Sequence, residues 1–96
     1  MIVMVSQNGY VKRTHLNLEK KHRGSEGQTL NANWFRILRE PEGENDLVLL
    51  TNIGAIIRLR LSEIRPMGEL AQGVRAVKLQ EYESIQDAVI MGSEEQ

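Results

Sequence analysis

The sequence predicts an all-β chain of two repeated units of short antiparallel strands, with one extra strand left over. Three observations carry that expectation. Residues 47–61 replay residues 2–16 at a constant offset of 45, laying Gly54 on Gly9, Arg58 on Arg13, Arg60 on His15 and Leu61 on Leu16. Self-similarity at a period of about 20–50 residues marks solenoids, propellers and arrays. Each copy opens on a short apolar run rich in β-branched residues and passes into turn chemistry, and no segment keeps the apolar spacing of an amphipathic helix.

Taken in order, residues 2–5 (Ile-Val-Met-Val) read as a strand buried on both faces. Asn8-Gly9 follows as a hairpin turn, because both residue types tolerate positive φ, and residues 10–16 form the returning strand. The second copy repeats these events with residues 47–51, the turn Asn52-Ile53-Gly54, and residues 55–61. There Ile57, Leu59 and Leu61 alternate cleanly with Arg58 and Arg60. Gly-containing polar connections, residues 17–27 and 62–73, come next, and Pro66 and Gly68 argue against a long helix in the latter. A third strand is expected at residues 34–39 and again at 74–79. Pro41-Glu42-Gly43-Glu44-Asn45 separates the units. Residues 88–91 resemble the opening strand of a further repeat. The expected organisation is therefore residues 1–45 as the first unit, 46–91 as the second with its trailing strand, and 92–96 as an acidic tail.

Bulk properties narrow the function. Without cysteine there are no disulfides or thiolate metal sites, which suits a reducing cytosol. No apolar run approaches the ~20 residues of a membrane span, and no basic region precedes the apolar start as a signal peptide needs. Two copies fall short of the roughly three that repeat units generally require for a continuous core. Self-association, or membership of a larger protein, is the expected remedy. The net charge of −1 hides segregation: residues 1–39 carry seven Lys or Arg against two acids, and residues 47–79 five against two. The turn at 40–46 holds four acids and no base, and residues 80–96 hold five and none. Local field, not net charge, decides what a surface attracts.

The second copy carries a resemblance. Thr51-Asn52-Ile53-Gly54-Ala55-Ile56-Ile57-Arg58, then Ser62-Glu63-Ile64-Arg65 and Gln72-Gly73-Val74-Arg75, resembles the repeat of the C-terminal domain of DNA gyrase A subunits, which the related topoisomerase IV protein shares. Residues 2–27 match more loosely through Asn8-Gly9, Lys12-Arg13 and the later glycines. The resemblance implies a β-pinwheel whose blades exchange strands, with a basic rim that bends and wraps duplex DNA. It implies a nucleoid-associated accessory module of a type II topoisomerase without catalytic residues or cofactor. The family's gyrase signature, Gln-Arg-Arg-Gly-Gly-Lys-Gly, is represented by Lys21-His22-Arg23-Gly24-Ser25-Glu26-Gly27. Glu26 reverses a charge there, so a topoisomerase-IV-like subunit or a diverged relative is the better fit and neither lineage is fixed.

The favoured phosphate contacts are Lys12, Arg13, Lys20, Lys21, Arg23, Arg58, Arg60 and Arg65. The shared phase of Arg13 with Arg58 and of His15 with Arg60 places positive charge on one face of both units, which suits a track of phosphates and needs no base code. His15, His22, Arg75 and Lys78 complete the basic set, and some members are expected to pair with Glu63 or Glu69. Gly24 and Gly27 could let open backbone approach a phosphate. Trp34 and Phe35 read as core. Tyr10 and Tyr82 lack the metal carboxylates and helical scaffold of a topoisomerase nucleophile, and His15 and His22 lack partner ligands for zinc. The competing reading is a protein-interaction module that closes a propeller by homo-oligomerisation. Expected partners are thus duplex DNA, the catalytic core of a type II topoisomerase, and further copies of the chain.

Overall fold

Two hairpins of matching sequence set the framework. In the structure, a computed structural model that describes residues 1–15, 34–68 and 70–92, β1 (Ile2–Ser6) pairs antiparallel with β2 (Tyr10–Thr14). Likewise β4 (Asn45–Thr51) pairs with β5 (Ile56–Arg60), and Val3↔Arg13 in the first hairpin becomes Val48↔Arg58 in the second. The turns are copies in chemistry as well. The Gly9 amide donates to the Ser6 carbonyl (3.2 Å) and that of Gly54 to Thr51 (3.1 Å). The hydroxyls of Ser6 and Thr51 accept the amides of Tyr10 and Ala55, both at 3.0 Å. Only the glycine of each turn has positive φ, +94° and +91°. Asn8 therefore does not share a left-handed conformation with Gly9 as expected; three residues, not two, span each hairpin loop, with glycine last.

A third strand flanks each hairpin on the side of its first strand. β3 (Trp34–Arg39) pairs with β1, and β7 (Ile85–Gly92) pairs with β4. Both pairings are irregular at the matching place, Val5/Ser6 and Leu50/Thr51. Residues 88–91 therefore do not open a further repeat: they belong to β7, the counterpart of β3. Nor is 74–79 that counterpart. Only Val74–Arg75 is strand, β6, and it crosses over to pair with β2, giving sheet orders β3-β1-β2-β6 and β5-β4-β7. The second unit thus lends its arm to the first sheet. Met67 N–H to Arg13 O (2.9 Å) and Ala76 N–H to Gly9 O (2.8 Å) extend this seam along β2. Strand exchange between blades, implied by the resemblance, is the observed topology.

The connection 61–73 holds one short 3-10 turn, Leu61–Glu63, and no α-helix occurs among the described residues. Val3, Val5 and Val11 of the first sheet and Leu47, Leu49, Ile85 and Ala88 of the second form one core, closed by Leu61 and Ile64. Phe35 packs against that core, as the sequence suggested; Trp34 is half-buried outside it. At one end Ile85 N–H donates to the Gln7 carbonyl (2.9 Å), tying the first turn to β7. Asn45 closes the acidic turn between β3 and β4, its Nδ2 donating to the carbonyls of Pro41 (2.9 Å) and Gly43 (3.1 Å).

Candidate functional site

The expected basic rim divides into inward and outward halves. Lys12 is 1% exposed. Its Nζ donates to the Ala71 carbonyl (3.1 Å) and sits 5.2 Å from the centre of the Trp34 ring, a cation–π arrangement beneath the exchanged arm. A buried ammonium needs such partners, and these withdraw it from any phosphate. Arg13 is also turned in: its side chain lies between the sheets, forked onto Glu40 by Nε–Oε1 (3.1 Å) and Nη2–Oε2 (3.0 Å), with Nη1 donating to the Ile64 carbonyl. Lys12 and Arg13 are thus corrected from rim residues to internal clasps. Period-two alternation puts Arg13 on the face of Val11, and in the first unit that face is covered.

Arg58, the counterpart of Arg13, stands on the uncovered face of the second sheet. Its side chain is 51% exposed and its Nε donates to Asp46 Oδ2 (2.6 Å). The other Asp46 oxygen is buried with no protein partner, so this carboxylate is only half satisfied. Arg60 and Arg65 are exposed and have no carboxylate partner among the described residues. Glu63, their expected partner, forms no ion pair among the described residues, and Glu69 lies outside them. Register gathers these groups at one end of the molecule. Ile2 faces both Thr14 and Arg39, Asp46 faces Arg60, and the Arg13–Ile64 bond brings the 61–65 segment alongside. His15 and Arg39, both exposed, belong to the same end, as does the acidic turn carrying Glu42 and Glu44.

Lys20, Lys21, Arg23, His22, Gly24 and Gly27 lie outside the described residues, although their segment continues directly from His15. Arg39 is absent from the contacts that the sequence favours; its place at the end of a strand beside the acidic turn was the available signal. Lys12 carried a signal too. The 45-residue offset lays it on Ile57, an inward-facing apolar residue, which marks the position as interior. At the opposite end Arg75 covers the ring of Tyr10 (5.8 Å), beside a shallow groove that also holds Lys78, Glu81 and Glu83. There the Tyr10 ring supports a cation. Asp87 pairs with Arg36 (2.6 Å). Its carboxyl is held below its usual range first by the Ala88 amide (2.8 Å) and then by that guanidinium. Among the described residues no group of three or more metal-ligating side chains forms, and no helix is long and apolar enough to cross a membrane.

Comparison with known proteins places this geometry. The family model described as "DNA gyrase C-terminal domain, beta-propeller" matches residues 1–18 and 45–90. The chain is 39% identical over 85 residues, 81% of its length, to the DNA gyrase A subunit of Staphylococcus aureus strain MRSA252, of which that stretch is 10%. The same identity and coverage recur with the DNA gyrase A subunit of strain Mu50, where it is 9%. The chain therefore spans about a tenth of the curated relatives it matches.

Proposed function

Because the chain belongs to the DNA gyrase C-terminal domain, β-propeller family, we propose that it is a noncatalytic accessory unit that binds duplex DNA through phosphates. The observation that supports this reading is the collection of His15, Arg39, Arg60 and Arg65 at one end of the two sheets, all exposed. Two acids of that end, Glu40 and Asp46, are engaged by Arg13 and Arg58. The inward arginine thus has an electrostatic part in the site: it occupies a carboxylate that would otherwise face the backbone of DNA.

Phosphates demand charge at a spacing and no donor–acceptor code, so the expected affinity is independent of sequence. Each neutralised phosphate releases condensed counterion, and affinity falls steeply as salt rises. Of the favoured contacts, Arg58, Arg60 and Arg65 are retained, Arg39 and His15 are added, and Lys20, Lys21 and Arg23 are assigned to the same track by their place in the chain. Bending of the duplex, and service to the catalytic core of a type II topoisomerase, belong to the same proposal.

The test is a salt titration of binding to random duplex with Arg60→Glu and Arg65→Glu. Each variant is expected to weaken binding to all sequences alike and to lower the log–log salt slope by about 1 per lost contact. Binding that ignores salt, or a loss confined to one sequence, overturns the proposal. Duplexes labelled at both ends report the bend.

A further inference from the structure

Arg13 and Arg58 hold matching places in the two hairpins but keep different shares of their guanidinium for outside partners. Arg13 spends all three nitrogens, Nε and Nη2 on Glu40 and Nη1 on the Ile64 carbonyl. Arg58 spends its Nε alone, on Asp46 Oδ2 at 2.6 Å. Its two Nη groups have no partner among the described residues, and its side chain is 51% exposed. The guanidinium is a rigid planar fork, so a grip on Nε limits where both Nη groups can point.

The carboxylate is placed to keep that grip. Asp46 lies on β4, the central strand of its sheet, paired to β5 on one side and to β7 on the other. Its side chain is 10% exposed, and Oδ1 is buried with no hydrogen-bond partner among the described residues. Such a group depends on the one donor it has, because surrendering Arg58 would leave a buried charge uncompensated. An approaching phosphate therefore meets the Nη pair, and Nε stays with Asp46. Register gives the grip a direction. Asp46 faces Arg60, whereas Arg58 faces Val48, two residues further from the basic end. Cross-strand partners share a sheet face, so the bond to Asp46 draws the Arg58 head along that face toward Arg60. The first unit lacks this carboxylate, since the 45-residue offset lays Asp46 on Met1.

We infer that Asp46 is a positioning residue for phosphate: it holds Arg58 by Nε and turns both Nη groups outward beside Arg60. The inference rests on the reading that this end of the molecule meets duplex DNA. What Asp46 contributes is order. A long arginine side chain loses rotamer freedom when it is fixed on a ligand, and one already anchored has less to lose.

Asp46→Asn and Asp46→Ala remove the same charge, but only asparagine keeps an acceptor for Nε, so their difference isolates the anchor. Affinity for random duplex is measured on the whole chain for both variants, each with and without Arg58→Ala. Asp46→Ala is expected to bind about fivefold more weakly than Asp46→Asn, the cost of ordering one long side chain. With Arg58→Ala that gap is expected to close, as it must where one residue acts through another. Circular dichroism matching the parent confirms that each variant folds. The parent supplies a second readout that needs no variant: the Arg58 Nε–H signal in nuclear magnetic resonance is expected to persist when duplex is added. Equal affinity of the two Asp46 variants overturns the inference, as does a gap that survives Arg58→Ala or loss of the Nε–H signal at saturation. Each of these outcomes leaves DNA binding by the parent intact. A parent that binds no duplex overturns the functional reading, and this inference falls with it.

Discussion

The two units of this chain begin from nearly the same string of residues and finish in different surroundings. In the first sheet the β2 edge is covered by β6, its valine face is buried, and its arginine is forked onto a carboxylate. In the second, the β5 edge lacks a partner strand among the described residues, the matching valine, leucine and isoleucine face outward, and the matching arginine is half in solvent. Local sequence sets strand, turn and register alike in both. What each face and each cation does is decided by the neighbour that covers it. Equal sequence at two positions therefore predicts equal conformation but not equal role.

The largest test of that difference lies at Lys12 and its counterpart Ile57. Lys12 ranks among the largest fully buried side chains and holds Ala71 and Trp34 of the exchanged seam. Lys12→Ala leaves a cavity and an unpaired carbonyl, and is expected to cost about 4 kcal/mol in denaturant unfolding. Ile57→Ala, in the half-buried place, is expected to cost about 2 kcal/mol. Equal costs would mean that the arm adds nothing to the first sheet.

The paired turn glycines sharpen the comparison at a single atom. Gly9 and Gly54 share a φ near +90°. A Cβ at Gly9 would stand 2.9 Å from the Val77 carbonyl oxygen, whereas one at Gly54 meets nothing within 4 Å. Gly54→Ala carries only the backbone penalty, about 1 kcal/mol. Gly9→Ala adds the clash with the returning chain, for about 3 kcal/mol in all. The same unfolding measurement checks both, and a difference below about 0.5 kcal/mol would show that the 76–79 segment yields freely.

Much of this fold was legible because period-two alternation and turn chemistry are local. The strand pairs 2–5 with 10–16 and 47–51 with 55–61, the glycine turns and the alternation of Ile57 and Leu59 with Arg58 and Arg60 follow from residues a few positions apart. The exchange of β6 and the role of β7 were not legible, since both depend on which of two similar edges a strand meets. Short strands such as Val74–Arg75 and short apolar runs such as residues 88–91 carry no address. Two members of the candidate site, Lys12 and Arg13, were misplaced for the same reason. Lys12 and Arg13 have the composition of a basic rim, and only the covering of their faces by the second unit turns them inward. Exposed Arg60 and Arg65 read correctly as surface because none of the described residues packs over the end of β5.

Arg13 and Arg58 give a smaller contrast. Removing Arg13 leaves Glu40 and the Ile64 carbonyl without their donor in a place largely shielded from water, at a cost of about 2 kcal/mol for Arg13→Ala. Arg58→Ala is expected to cost about 1 kcal/mol or less, because its guanidinium is half solvated. For DNA the proposed site reverses the order: Arg58→Ala is expected to remove a phosphate contact and to free Asp46, while Arg13→Ala is expected to act by freeing Glu40. Unfolding and duplex binding measured on the same two variants should therefore rank them in opposite orders.

The faintest contrast is the one the duplication turns upon itself. Arg36 faces Val5 and Asp87 faces Leu50, so the two occupy matching places on β3 and β7 with opposite charge, and they bind one another across the sheets. The Ala88 amide and Arg36 hold the Asp87 carboxyl below its ordinary value of 3.8. A carboxyl lowered by folding stabilises the native state above its unfolded pKa, and that contribution is lost as pH falls through the folded one. The pair is exposed, so the effect is small and screened by salt. Melting midpoints of the parent and Asp87→Asn should differ by a constant amount at neutral and mildly acidic pH, then converge below about pH 4. Arg36→Gln should retain most of this acid dependence, because the backbone amide is the larger cause. Loss of the whole dependence in Arg36→Gln would instead make the bond between sheets, not the strand's own amide, the origin of the shift.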